Sequence, residues 1–224
     1  MSFLYEERPS DSPFVETIWR TQSESDGCYI NLADGCWDIL LIKQAAETRV
    51  SLCGPMTKAT PILYKAGSEY MGIRFKIGAF MPQLPANNIL DVVTPLPKAT
   101  SQSFWLGDSA WQLPAWENVE AFVDKLAREG LIARDGVLDA ILQGQTQDMS
   151  LRSVQRRFLQ TTGLTQSYLR QIERARHAAA LLQQGVSILE AVYEAGYTDQ
   201  PHLTKSLKHL IGQTPAQIVR ATST

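Results

Sequence analysis

Two short stretches late in the chain carry side chains suited to reading a polar, anionic surface. In the first, from Ser150 to Thr161, Arg152, Gln155, Arg156 and Arg157 turn outward on a helical period while Leu151, Val154 and Phe158 turn inward. In the second, GYTDQPHLTKSLKHLIGQTP from Gly196 to Pro215, Gln200, His202, Lys205, Lys208 and His209 lie opposite Leu203, Leu207, Leu210 and Ile211. Guanidinium and amide groups form paired hydrogen bonds with guanine and adenine edges, and cationic groups neutralise phosphates. This chemistry makes Arg152, Gln155, Arg156, Gln200, His202 and Lys205 candidates for base contact, with Arg157 and Lys208 as candidates for phosphate contact. A solvated charged face is the plain alternative for either helix alone. It leaves unexplained why a second helix of the same character follows about fifty residues later.

Local signals say how these residues would be held. Ser150 can cap the first helix, and Thr-Gly-Leu-Thr from Thr162 follows it. Gly196 closes the run Ile188 to Ala195 where a tight turn needs positive φ. Asp199 can then accept from free backbone N–H groups, and Pro201 sits in the first turn, where its missing donor costs nothing. Between the two stretches, Gln166 to Gln184 places Leu169, Ile172, Ala175, Ala179 and Leu182 on one face and stops at Gly185.

The composition bounds the rest. With 224 residues, 44% of them hydrophobic, the chain can bury one large core or two smaller ones. No apolar run approaches the ~20 residues that cross a bilayer. The start MSFLYEERPS lacks the features of a secretory signal, so a cytoplasmic location without membrane partners is expected. Cys28, Cys36 and Cys53 follow no CxxC spacing, which points to reduced, packed thiols without a metal ribbon. The net charge of −2 is asymmetric: residues 149–224 hold nine Lys/Arg against four Asp/Glu, and residues 1–148 hold twelve against nineteen. All three histidines, His177, His202 and His209, lie in the basic part.

The first hundred residues read as short strands: Val15–Thr21, Cys28–Leu32, Trp37–Lys43, Arg49–Leu52, Ile62–Ala66 and Tyr70–Lys76. Gly-Pro and Ser/Asp/Gly clusters separate them, as in a small antiparallel sandwich or barrel. Asp34 and Asp38 flank a turn and read as turn caps, because no base accompanies them. Residues 1–148 contain no histidine to hold a metal as cupin-type oxygenases do. Aromatic residues abound, and Trp19, Trp37, Tyr70 and Phe75 are the candidates to line a pocket for a small molecule; core packing is the competing use for such rings. From Trp116 a helical period carries Val119, Phe122, Val123 and Leu126 to Gly130, reading as a bridge to a second domain that begins near 131. TPLPKATSQS at 94–103 reads as a loop, and Gly130 to Gly136 as a hinge.

The carboxy-terminal pattern resembles the AraC family of transcription regulators. Gly196, Tyr197, Asp199, Gln200, Gly212, Thr214 and Pro215 match its second helix-turn-helix, and Ser150 to Thr161 resembles its first recognition helix. More weakly, ADGCWDILL, CGP and GIRFKIGAF resemble the β-rich amino-terminal domain of some members. The resemblance implies an α+β chain. Residues 1–130 would form a β-rich sandwich or barrel that senses an effector, and residues 131–224 an all-α double helix-turn-helix. The long helix would act as a rigid connector of about 28 Å, comparable with the ~34 Å between successive major grooves. The implied partners are double-stranded DNA, a small-molecule effector and RNA polymerase, with the protein a monomer or homodimer and no cofactor or metal. Two positions depart from the pattern: Asp148 stands in the usual turn-glycine position, and Val192 where a tight interhelical turn usually has alanine. Alternatives to ligand control are a thiol- or metal-responsive regulator acting through Cys28, Cys36 and Cys53, or a small-molecule enzyme using Asp34 and Asp38. The resemblance itself implies no catalysis.

Overall fold

The structure, a computed structural model, describes residues 3–45, 47–145 and 149–222. Eight strands come first: β1 (Phe3–Pro9), β2 (Val15–Ser23), β3 (Gly27–Asn31), β4 (Asp38–Gln44), β5 (Glu47–Cys53), β6 (Thr60–Tyr64), β7 (Ser68–Phe75) and β8 (Ala79–Phe80). Short strands β9 (Val93–Pro95), β10 (Lys98–Thr100), β11 (Ser103–Leu106) and β12 (Ser109–Gln112) follow, then α1 (Val119–Arg128) and β13 (Ala133–Arg134). The remainder is helical: α2 (Gly136–Leu142), α3 (Leu151–Thr162), α4 (Gln166–Gln183), α5 (Ile188–Glu194), α6 (Gln200–Leu210) and α7 (Pro215–Thr222). The chain is therefore α+β, with strands leading and helices closing it.

A six-stranded sheet runs in the order β1-β2-β7-β4-β5-β9, and its first five strands pair antiparallel in long registers, with one shift between Val15 and Thr17 where β2 meets β7. Alternation explains its buried face. Ile39 and Leu41, Val50 and Leu52, and Ile73 and Phe75 each sit two apart on their strands and all point into one core. A three-stranded sheet, β10-β11-β12, closes that core with Phe104, Leu106 and Trp111. Trp37 and Phe75 stack in its centre with ring centroids 3.7 Å apart, and the Trp37 indole donates to the Ala79 carbonyl at 2.8 Å. The loop expected at 94–103 contains β10 and parts of β9 and β11, whose brevity hides them from a period-two search.

Contacts divide the chain into two units. One unit comprises the residues up to Gly27 with Cys36–Pro55 and Leu63–Gly163; the other comprises Cys28–Gly35, Met56–Ile62 and Leu164–Thr224. The helix read as a bridge belongs to the first unit's interior: Val119, Val123 and Leu126 of α1 are fully buried in the β core. Helices α2 and α3 belong to the same unit. α3 packs on α2, on β8 and on the 3-10 turn Ala86–Asn88. Among the described residues, no helix is long and apolar enough to cross a membrane.

Candidate nucleic-acid interface

The helix pair α5–α6 is built from local signals that stop and start it. Ser187 and Glu190 cap α5 reciprocally: the Glu190 N–H donates to the Ser187 hydroxyl, and that hydroxyl and the Ser187 N–H both donate to the Glu190 carboxylate. At its end Gly196 takes φ +68°, the Gly196 N–H donates to the Tyr193 carbonyl, and the Tyr197 N–H reaches the Val192 carbonyl at 2.8 Å. This double closure satisfies carbonyls that a helix end leaves free. Val192, one of the two departures from the family pattern, is buried there.

The turn then directs α6. Asp199 accepts from the His202 N–H at 2.7 Å, and Pro201 follows in the first turn. Tyr197 is buried, and its hydroxyl pairs with Ser206 at 2.9 Å. Arg174 of α4 lies 4.4 Å over the Tyr197 ring and donates to the Gly196 carbonyl. Sequence reasoning missed Arg174, because the spacing from 174 to 197 has no local period. Leu203, Leu207 and Leu210 are buried, while Gln200, His202, Lys205 and Lys208 are exposed. At 3.6 residues per turn Lys205 lies in the middle of the free face, with Pro201 and Lys208 to one side and His202 to the other. One imidazole and two ammonium groups thus share one open helix face.

Beyond α6, Gly212 takes φ +79° and Thr214 caps α7. The Thr214 hydroxyl accepts from the Gln217 N–H, and the Gln217 side-chain oxygen accepts from the Thr214 N–H at 2.8 Å. The Gly-x-Thr-Pro pattern is therefore a helix stop followed by a capped helix start. Leu169, Ile172, Ala175, Ala179 and Leu182 of α4 are buried, and α4 packs on α5, α6 and α7.

Helix α3 is held differently. Ser150 accepts from the Ser153 N–H at 3.2 Å, and Gly163 at φ +72° ends the helix. Arg152, Gln155 and Arg156 are exposed. Arg157, grouped by sequence with the phosphate contacts, instead donates to Asp135 Oδ2 at 2.8 Å and is half-buried. Asp135 also caps α2, accepting from the Val137 and Leu138 N–H groups, so one carboxylate fastens both helices. An Asp before an apolar run is a legible cap signal, although the segment from Gly130 to Gly136 reads by composition as a hinge. Arg152, Gln155 and Arg156 line a cleft of about 1040 Å³ whose other wall is Phe80, Met81, Leu84 and Pro85. Asp148, the other departure from the family pattern, lies outside the described residues.

The four rings expected to line a small-molecule pocket do not gather. Trp37 and Phe75 are core residues with no free face, and Trp19 lies over Gly72, where any Cβ would collide with its indole. Tyr70 alone of the four lines the cavity of about 650 Å³ at one end of the six-stranded sheet. Arg20 and Lys43 also line it and are ion-paired with Glu6 and Glu69 at 2.6 and 3.1 Å. Trp116 forms part of the wall, with the Arg20 guanidinium 4.5 Å from its ring. Alternation along a strand places rings on faces but cannot say which face is filled.

Asp34 and Asp38 have separate structural duties. Asp34, buried, accepts from the Met56 N–H at 3.2 Å. Asp38 pairs across the sheet with Arg74 at 3.1 Å; burial pushes its carboxyl up, and the guanidinium pulls it back. Cys28 is exposed, Cys53 half-buried, and Cys36 buried with its thiol 3.2 Å from Glu16. Among the described residues, no three His, Cys, Asp or Glu side chains converge on one point.

A capped helix pair with a glycine-closed turn and one open polar face defines the helix-turn-helix class of proteins. Residues 145–221 match the family described as "Helix-turn-helix domain". Residues 8–93 match a domain of unknown function, DUF6597. No curated protein matches the chain. Among solved structures it is similar to ToxT from Vibrio cholerae bound to (E)-4-(8-methylnaphthalen-1-yl)but-3-enoic acid. The identity is 10%, 97% of this chain and 99% of that one are covered, and the TM-score is 0.42. A second ToxT structure has 10% identity, coverage of 96% and 98%, and a TM-score of 0.35. At that distance the assignment rests on the helix-turn-helix match and on the geometry above.

Proposed function

We propose that the chain is a sequence-specific DNA-binding transcription regulator that reads double-stranded DNA with α3 and α6. Arg152, Gln155 and Arg156 on α3 and Gln200, His202 and Lys205 on α6 contact base edges, and Lys208 contacts phosphate. Arg157 supports α3 through Asp135. The observation that carries this reading is the pairing of a family match over 145–221 with two capped helices, each exposing guanidinium, amide or ammonium groups on one face. RNA polymerase is the further partner through which such binding would act on transcription. The cavity beside Tyr70 and Trp116 is the proposed effector site, and its paired Arg20, Lys43, Glu6 and Glu69 suit a small molecule that itself carries charge. No catalytic role is assigned to Asp34 or Asp38.

Selection of bound fragments from random DNA tests the reading. The expected product is a bipartite motif with half-sites about 10 base pairs apart. No enriched motif, or unchanged affinity in both Arg156→Ala and Lys205→Ala, would remove it. The effector site is tested by screening charged small molecules for a change in DNA affinity, with Tyr70→Ala abolishing the response.

A further inference from the structure

The stripe of α3 that carries Arg152, Gln155 and Arg156 forms one wall of a cleft, and the facing wall has a different chemistry. Leu159 and Gln160 continue the stripe, so five side chains at i, i+3, i+4, i+7 and i+8 line the cleft from the helix. The facing wall is Phe80, Met81, Leu84 and Pro85. It is held by its own backbone. Phe80 pairs with Ala133 across β8 and β13, the Leu84 N–H donates to the Met81 carbonyl at 3.0 Å, and the Asn88 N–H donates to the Pro85 carbonyl at 2.9 Å. Both walls belong to one contact unit, in which α3 packs directly on β8 and on the 3-10 turn Ala86–Asn88.

The charge of the cleft is unbalanced. Three guanidinium groups, those of Arg152, Arg156 and Arg157, line it with one carboxylate, Asp135. Arg157 takes that carboxylate at 2.8 Å, and Asp135 also caps α2, so it does not offset the other two. Arg152 and Arg156 are exposed, and among the described residues neither has an ion-pair partner. They stand one turn apart on α3, a rise of about 6 Å, within reach of a common anion. At about 1040 Å³ the cleft lies near the top of the roughly 300–1,000 Å³ usual for small-molecule sites. A DNA backbone is charged and hydrated along its length and makes no use of an apolar wall. A small molecule with an anionic head and an apolar body uses both walls: the head pairs with the guanidinium groups, and the body covers Phe80, Met81 and Leu84.

We propose that this cleft binds a small organic anion, a phosphate or carboxylate carried on an apolar body, with Arg152 and Arg156 holding the head. The site stands whether or not α3 reads DNA. One corollary rests on that reading: ligand and DNA draw on the same two guanidinium groups, so an occupied cleft and a bound α3 half-site exclude each other by direct competition.

Calorimetric titration of the full chain without DNA tests the site, with phenyl phosphate and benzoate as probes. At least one should bind in one-to-one ratio, and the tighter of the two identifies the head. Phenol, a body without charge, and inorganic phosphate or acetate, heads without a body, should bind at least tenfold more weakly. Arg152→Ala and Arg156→Ala should each weaken the better probe about tenfold, as expected for losing hydrogen bonds to a charged group. Both side chains are exposed, so thermal unfolding should be unchanged. Leu84→Ala should weaken that probe about fivefold and leave inorganic phosphate unaffected. Arg128→Ala, which removes an exposed guanidinium group of α1 outside the cleft, should bind as wild type does. Binding of neither probe, equal binding of phenol, or wild-type affinity in both arginine variants would overturn the site. On a selected operator, saturating probe should weaken protection of the α3 half-site at least tenfold and spare the α6 half-site. Undiminished α3 protection with the cleft saturated would overturn the competition and leave the site standing. A chain that binds probe but no DNA would overturn the regulator reading alone.

Discussion

The two proposed reading helices carry similar side chains on unlike supports. Helix α6 has a capped, glycine-closed partner in α5, a long buried brace in α4, and donors for its last carbonyls. Helix α3 follows only the seven-residue α2, whose one fully buried side chain is Leu138, and depends on the Asp135–Arg157 link and on the turn at Ala86–Asn88. The contrast teaches that the side chains a helix exposes say little about how the helix is held. One support is largely local in sequence, and the other is borrowed from the β core.

Core truncation should separate the two supports most sharply. Phe158→Ala removes a fully buried ring under α3 and should cost about 3–5 kcal/mol; Leu207→Ala under α6 should cost about 2–5 kcal/mol. Thermal unfolding of each variant, with footprinting on a selected operator, should show loss of the corresponding half-site first. If either truncation erased both half-sites equally, the heads would not be separately supported. Next in size, Arg156→Ala and Lys205→Ala should each reduce discrimination by about 1–3 kcal/mol at their own half-site, as competition titrations would measure.

Smaller effects test the caps and charges. Ser150→Ala and Asp199→Ala should each destabilise by about 1 kcal/mol in denaturant titrations. Lys208→Ala should weaken binding to all sequences alike and flatten the salt slope by about 0.9, a change that a face without phosphate contact would not give.

Acid should affect the two supports unequally. Glu120 of α1 is held by Arg8 at 2.5 and 2.9 Å, and this hydrogen-bonded ion pair lowers its carboxyl to about 2 from the usual 4.5. A carboxyl depressed by folding stabilises fully above its unfolded value and loses that contribution as pH falls through the folded one. The unit carrying α3 should therefore lose stability between about pH 4.5 and 2, by a small amount because the pair is partly exposed to solvent. Glu120→Gln should flatten that part of the stability curve when unfolding is followed by Trp fluorescence.

Much of this was legible in the residues because helix period, caps and glycine stops are local. Asp199, Pro201 and Gly196 mark α6 within a few positions of where it lies, since each acts on backbone groups one to four residues away. The strands β2, β4, β5 and β7 were legible too, because burying one face of a sheet imposes alternation on the chain. The grouping of Trp19, Trp37, Tyr70 and Phe75 was not, because a ring that fills a core and a ring that lines a cavity have the same pattern.

By itself, the sequence determined that strands lead and helices follow, where the longer central strands lie, and where α3 to α6 begin and end. Tertiary structure alone decided that α1 is core, that Arg157 serves Asp135, and that loops at 28–35 and 56–62 complete α6. The reason is range. Local hydrogen bonds and side-chain periodicity are encoded within a turn or two, whereas the partner of a helix-end carbonyl is settled only when distant segments pack.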